Sequence, residues 1–280
     1  MRQDLTLVLG GTGKTGRRVA ERLWARGVPT RLGSRAARPP FDWDDRATWA
    51  PALAGVGRAY VSYYPDLAVP GARDAVGALA EQAVAAGVGR LVLLSGRGEE
   101  EAQRAERALA GAGAEWTVVR ASWFAQNFDE GYLLEPIIDG GVALPVGDVP
   151  EPFIDADDIA DVAVAALTED GHAGEVYEVT GPRALTFAEA IDEIARASGR
   201  RLRFEQVPME AYGIAMAEAG VPAEIIGLMR YLFTEVLDGR NVATADGVRR
   251  ALGREPRDFR DFARRAAATG VWSAPVGARR

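Results

Sequence analysis

Leu5-Thr6-Leu7-Val8-Leu9-Gly10-Gly11-Thr12-Gly13-Lys14-Thr15-Gly16 is the stretch on which the reading of this chain turns. Leu5 to Leu9 is a near-continuous apolar run, the pattern of a parallel strand buried on both faces. A helical pattern follows the glycines, with Val19, Leu23 and Trp24 on one side, and it stops near Gly27. Between strand and helix stands Gly10-x-x-Gly13-x-x-Gly16. Glycine there permits a tight turn, lets backbone N–H groups approach a pyrophosphate, and lets the helix lie close on the strand. The helix N-terminus, with about half a positive charge, favours phosphate.

A P-loop is excluded although Gly13-Lys14-Thr15 mimics its ending. That motif needs a glycine five residues before Gly13, and the position holds Val8 inside the strand.

Outward from this turn, strand and helix patterns alternate. Thr30–Leu32, Tyr60–Tyr63, Arg90–Ser95 and Glu115–Arg120 read as strands, Leu53–Gly57 as a loop, and Ala72–Ala86 and Glu99–Ala110 as helices. After Asn127 the pattern breaks up to Pro152. A helix over Asp157–Leu167 and a strand over Glu175–Val179 then return to the sheet. The rest is mostly helical: Phe187–Ala197, Met209–Ala219, Ala223–Leu237, Ala245–Leu252 and Asp258–Ala268. The expected architecture is α/β, a Rossmann-like doubly wound parallel sheet with a smaller, mostly helical C-terminal substrate domain. Residues 1–126 and 153–180 form the nucleotide-binding domain in this reading. Residues 127–152 and 181–280 form a substrate-binding or lid domain.

Composition narrows the chemistry. With 48% hydrophobic and 26% charged residues, the 280-residue chain reads as an ordinary globular protein. A net charge of −7 argues against nucleic-acid or anionic-membrane partners. No signal or spanning segment is evident, so the expected location is the cytoplasm. Arginine-rich, lysine-poor usage with abundant Ala, Gly and Val suggests a bacterial source. There is no cysteine, hence no thiolate and no cysteine-ligated metal, and no metal site is expected. The one histidine, His172, lies in the turn-like Glu169–Gly174 and reads as a solvated loop residue. The acidic cluster Asp155, Asp157, Asp158 and Asp161, and the run Glu99–Glu101, read as helix-start carboxylates that cap N–H groups and favour the dipole.

Cofactor preference turns on the end of the second strand. An NAD site usually carries an acid there for the ribose 2′-hydroxyl. This chain reads Arg31-Leu32-Gly33-Ser34-Arg35, and Ser34 and Arg35 suit a 2′-phosphate. The expected cofactor is NADP(H).

Several further motifs carry a family resemblance. They are the glycine loop, Phe41-Asp42-Trp43, Leu94-Ser95, Trp116–Arg120, Trp123-Phe124-x-x-Asn127-Phe128 and Phe153-Ile154-Asp155-x-x-Asp158-Ile159-Ala160. Together they resemble the NmrA-like family of atypical short-chain dehydrogenase/reductases. Leu237-Asp238-Gly239 and Arg254–Phe259 resemble its festuclavine-dehydrogenase-like branch. The resemblance implies that Gly10, Thr12, Gly13, Lys14, Thr15 and Gly16 hold the pyrophosphate and that Asp42 and Trp43 lie beside the adenine. It further implies that Tyr63, Tyr64 and Ser95 flank the nicotinamide side. Trp123, Phe124 and Asn127, with Tyr64, would wall the substrate cleft, and Phe128 extends this aromatic wall.

The Tyr-x-x-x-Lys pair of typical short-chain dehydrogenases is impossible here, because Lys14 is the only lysine and position 10 is Gly10. No Gly-x-Ser-x-Gly motif is present. Two functions survive. The first is an NADPH-dependent reductase that passes hydride to a small electrophile, an iminium ion, quinone or activated enone, with Ser95, Tyr63 or Tyr64 supplying a proton where one is needed. The second is a non-catalytic NADP-binding redox sensor. Either is compatible with a monomer or a homodimer.

Overall fold

The computed structural model describes residues 4–273, so the outermost ends of the two expected domains lie outside the described residues. In chain order the elements are β1 Leu5–Leu9, α1 Lys14–Ala25, β2 Thr30–Gly33, α2 Trp49–Leu53, β3 Val56–Val61, α3 Ala72–Ala85, β4 Arg90–Gly96, α4 Glu100–Ala110, β5 Glu115–Ala121, α5 Leu134–Asp139, β6 Gly141–Leu144, α6 Ala156–Thr168, β7 Glu175–Val179, α7 Phe187–Ser198, β8 Arg203–Gln206, α8 Met209–Glu218, α9 Ala223–Tyr231, α10 Gly247–Leu252 and α11 Phe259–Ala268. They fall into two compact units. One runs to Ala121 and adds Ala156–Val179 and Ala245–Glu255; the other takes Ser122–Asp155, Thr180–Thr244 and the chain from Pro256.

The first unit holds a six-stranded sheet of order β2-β1-β3-β4-β5-β7, every pair parallel. Parallel strands need crossover segments, and the α-helices between them supply apolar faces that cover the sheet. Leu7, Leu9, Leu91 and Leu93 share one core with Leu79 and Ala80 of α3 and Ala102 and Leu109 of α4. The helices α1 and α6 pack against each other. The expected α/β class with a parallel central sheet is therefore the observed one.

Local differences have local causes. Strand β3 begins at Val56, inside the expected loop, because Gly57 is the extra residue where the register with β1 slips between Leu5 and Thr6. His172 is buried, not solvated. Its Nδ1 lies 2.8 Å from the Tyr177 hydroxyl, and its carbonyl accepts from Thr117 Oγ1 at 2.7 Å. The short loop before β7 is thus tied to the sheet edge.

The domain boundaries also differ from expectation. Residues 122–126 and 153–155 leave the first unit together. Ala125 N–H donates to Ile154 O at 2.8 Å and Ile154 N–H to Trp123 O at 2.9 Å. Conversely, α10 returns to the first unit. A Cβ on Gly247 would stand 2.1 Å from the Glu178 carbonyl oxygen of β7, so the two backbones meet where only glycine fits.

The second unit contains a two-stranded parallel sheet, β6 with β8, that sequence patterning does not reveal. Both strands have four residues, and the Gly140-Gly141 pair where β6 begins reads as a breaker. Helix α7 follows its sequence closely. Thr186 and Glu189 form a reciprocal capping box, Phe187, Ala190, Ile191 and Ile194 form the buried stripe, and Gly199 ends it at φ 68°. The expected Ala223–Leu237 helix stays α-helical only to Tyr231, and its last turn, Leu232–Val236, widens to a π-turn. Phe128 is fully buried against Phe153, Phe187 and Phe259, so it is core and not part of an aromatic wall. Among the described residues no helix is long and apolar enough to cross a membrane.

Gly247→Ala is expected to lower unfolding stability by about 1–3 kcal/mol through overpacking against β7. Gly227→Ala, in α9 with open space around it, is expected to be neutral or stabilising by about 0.5–1 kcal/mol. Denaturant titrations of the two variants check this pair.

Candidate functional site

The turn between β1 and α1 is closed by its own glycines. Gly10 sits at φ 65°, its N–H donates to Gly33 O at 3.0 Å, and its carbonyl accepts from Gly13 N–H at 2.8 Å. A Cβ on Gly16 would lie 2.1 Å from that same carbonyl oxygen, and one on Gly11 2.8 Å from Leu32 Cδ2. Gly16 and Gly11 therefore serve close packing. Thr12 and Gly13 are exposed, Lys14 is half-buried, and Thr15 is buried, so Thr15 offers an incoming group mainly its backbone N–H. Gly13, the N-cap of α1, makes no side-chain cap, and the first turn holds no acid. The orphan N–H groups of that turn and the positive end of the dipole are not neutralised by a capping carboxylate.

Two neighbouring segments border this turn. Ser34, half-buried after β2, fixes its loop by accepting at its carbonyl from Ala37 and Phe41 N–H at 3.1 and 2.9 Å. Arg35 beside it is exposed and makes no ion pair among the described residues. After β3, Ser62 meets the Cα side of Gly10, with 3.4 Å between its Cβ and the Cβ a residue at 10 would carry. Trp43 Nε1 donates to Ser62 O at 3.2 Å, and the Trp43 ring lies 5.2 Å from Phe41, 5.8 Å from Trp49 and 4.7 Å from Tyr63. Asp42 holds this aromatic group in place, its carbonyl accepting from Trp49 Nε1 at 2.7 Å.

The three expected proton donors differ in exposure and in partners. Tyr64 is 72% exposed. Tyr63 packs at a tilt against Trp43, and partial burial, then the charge of Asp44, raises its pKa. Ser95, near the end of β4, is buried and donates its single proton to Glu106 Oε1 at 2.6 Å. Glu106 also receives Arg120 in a two-pronged pair at 2.9 and 2.6 Å, and Arg120 reaches on to Glu178 at 2.8 Å. Ser95 thus belongs to a buried charge network. In the second unit Trp123 and Phe124 are half-buried. Trp123 packs against Phe187 and Phe233, and its Nε1–H is enclosed. Asn127 is half-buried in the short helical turn that follows.

The acidic cluster at the start of α6 is neutralised by arginine. Asp157 and Asp161 accept from Arg22 at 2.8 and 2.5 Å, and Asp158 and Asp161 from Arg254 at 2.7 and 2.6 Å. In the second unit Asp155 accepts from Gln126 and pairs with Arg265. No group of side chains among the described residues is arranged to hold a metal ion.

Glu99 departs from its expected role. It occupies the N-cap position of α4 but makes no capping bond. Its side chain is instead folded back and 7% exposed, with its carboxyl against the Cα of Gly96, the last residue of β4: a Cβ there would meet Oε1 at 2.1 Å. No donor reaches its Oε2. It faces Asp66, three residues beyond Tyr63, whose Oδ1 accepts from Ala68 N–H at 2.8 Å. Burial first, then the charges of Asp66 and Glu106, hold the Glu99 carboxyl well above the usual carboxylate range. Burial likewise raises Asp66. Pattern reading missed this pair because an acid at a helix start matches a cap, and only the fold shows the side chain turned inward.

No family model matches the chain. It is 33% identical to the oxidoreductase YesF of Bacillus subtilis, over 98% of this chain and 99% of that protein. It is 29% identical to festuclavine dehydrogenase of Aspergillus fumigatus, over 92% and 96% of the two chains. Its fold resembles that of the NADPH-dependent quinone oxidoreductase of Escherichia coli, solved with NADPH, at a TM-score of 0.77. That likeness covers 92% of this chain and 98% of the other at 20% identity.

The raised carboxyl has a stability consequence. The folded state keeps a proton on Glu99 that the unfolded chain releases above about pH 4.3. Its contribution is therefore present below that pH and is lost as pH rises toward the folded value. Glu99→Gln, which removes the titration, is expected to show a Tm advantage over the wild type that widens from pH 5 to pH 8, read by thermal melts. A constant offset would contradict it.

Proposed function

This chain belongs to the NmrA-like family of atypical short-chain dehydrogenase/reductases, and from that premise we propose that it is an NADPH-dependent reductase of small electrophilic organic molecules. The observation that carries the cofactor reading is the turn after β1, where exposed N–H groups meet a helix start without cap or acid. These residues fit a pyrophosphate. Gly10, Gly11 and Gly16 keep the turn tight, the backbone of Thr12, Lys14 and Thr15 borders the helix start beside a Gly13 N–H already given to Gly10, and Lys14 adds charge. Arg35, exposed and unpaired beside Ser34, suits a ribose 2′-phosphate. Asp42 and Trp43 would border the adenine. The cofactor, when bound, supplies hydride. Every other task falls to the chain: to bind, orient and exclude water.

The acceptor class follows from what the chain lacks. Without a Tyr-x-x-x-Lys pair, reduction best suits substrates already electron-poor: an iminium ion, a quinone or an activated enone. Tyr63 and Tyr64, after β3, are proposed to flank the reacting end. Trp123, Phe124 and Asn127 are proposed as substrate contacts. The names of the relatives favour this reading over a non-catalytic sensor.

Arg35→Ala is expected to weaken NADPH binding by about 10- to 150-fold, about 1.5–3 kcal/mol, and to leave NADH binding nearly unchanged, measured by calorimetric titration. Equal losses for both would overturn the 2′-phosphate role. Gly13→Val places a branched side chain over the exposed helix start. It should preserve the circular-dichroism spectrum while NADPH binding is lost; retained affinity would remove the turn from the site.

A further inference from the structure

We propose that Glu99 is the proton donor of this reductase and that Asp66 refills it, a role that rests on the reading of the cofactor site above. Three structural observations converge on it. First, position: Asp66 follows β3 and Glu99 follows β4, and ligands of open α/β sheets bind outside the carboxyl ends of the strands. The Glu99 carboxyl takes the volume over Gly96 that any side chain at the end of β4 would fill. Second, its Oε2 is enclosed and has no donor, a costly state for an anion and an ordinary one for an acid whose O–H points at a neighbouring carboxylate. Third, Ser95 is committed to Glu106, which leaves the end of β4 without a free hydroxyl.

The electrostatic surroundings agree. The charged groups acting on Glu99 are Asp66, from the loop before α3, and Glu106, from α4; both are carboxylates. Arg120 of β5, the partner of Glu106, is spent on Glu106 and Glu178. Two facing carboxyls without a cation hold one proton between them and titrate as a pair. Asp66 is less enclosed than Glu99, so the pair has a buried end and an end nearer water.

The chemistry balances. A quinone that accepts hydride from NADPH becomes a hydroquinone monoanion. Transfer of the Glu99 proton to its oxygen completes the hydroquinone and leaves Glu99 as carboxylate, while NADPH becomes NADP+. Water then returns a proton through Asp66. A cyclic iminium ion, by contrast, takes hydride alone and gives a neutral amine, so its reduction does not draw on the pair.

The test compares wild type, Glu99→Gln and Asp66→Asn with NADPH and two acceptors, a benzoquinone and a cyclic iminium salt, in single turnover. Glu99→Gln is expected to slow quinone reduction by about 100-fold or more and to cost at least tenfold less with the iminium. Asp66→Asn should slow multiple turnover of quinone more than the first turnover. Independently of any cofactor, infrared difference spectra of the wild type at neutral pH should show a protonated-carboxyl C=O band that Glu99→Gln removes. Equal slowing of both acceptors, or no such band, overturns the proposal. A wild type that binds no NADPH would sink the cofactor reading, and the donor role with it, while the band would still report the stored proton.

Discussion

The contact between Gly16 and the carbonyl of Gly10 is the constraint on which the first unit depends. With no Cβ at 16, the first turn of α1 descends onto the end of β1, and the helix axis starts directly over the strand's carboxyl edge. Any larger residue would lift the helix and open the turn. The same closeness leaves Thr12 and Gly13 outermost and turns Thr15 inward. Packing and anion recognition are thus one geometric decision. The glycines usually credited with ligand contact divide here into those buried by close packing, Gly11 and Gly16, and the exposed Gly13, where a Cβ would meet the Gly10 carbonyl oxygen at 3.3 Å.

Arginine settles most of the buried and half-buried acid in this chain. Its planar fork reaches two carboxylates at once, as Arg22 does with Asp157 and Asp161, Arg254 with Asp158 and Asp161, and Arg183 with Asp258 and Glu193. Such pairs hold α6 against α1, and the segment that follows α10 against α6, within the first unit. Against that background Glu99 and Asp66 stand apart. They are enclosed carboxyls with no arginine of the described residues among the groups acting on them, beyond the carboxyl ends of β3 and β4, where an α/β fold places its chemistry. Burying a charge without a counter-charge is costly, and protonation relieves that cost.

Legibility followed how local each cause is. The strands β1 and β4 were readable because burial on two faces forces apolar runs, and β5 and the edge strand β7 because their β-branched and aromatic residues stand between turn signals. Helix α7 was readable because its cap, stripe and terminal glycine lie within one short segment. The pair β6 and β8 was not, since four-residue strands have too few positions to show a period, and their partners are some sixty residues apart. His172 and Phe128 were misjudged for the same reason: the groups that enclose them, Tyr177 and the cluster of Phe153, Phe187 and Phe259, are settled by tertiary packing.

What the amino-acid order determined alone was the alternation of strand and helix, the glycine turn, the absent acid after β2 and the absent tyrosine–lysine pair. Each is a matter of residues near one another in the chain, or of a residue type that is missing. Tertiary structure decided which polar groups are committed and which are idle. It joined Ser95 to Glu106 and Arg120, returned α10 to β7, and folded Glu99 inward against Gly96 toward Asp66. The physical reason is that a side chain's protonation and partners depend on what encloses it, and enclosure comes from segments far apart in sequence.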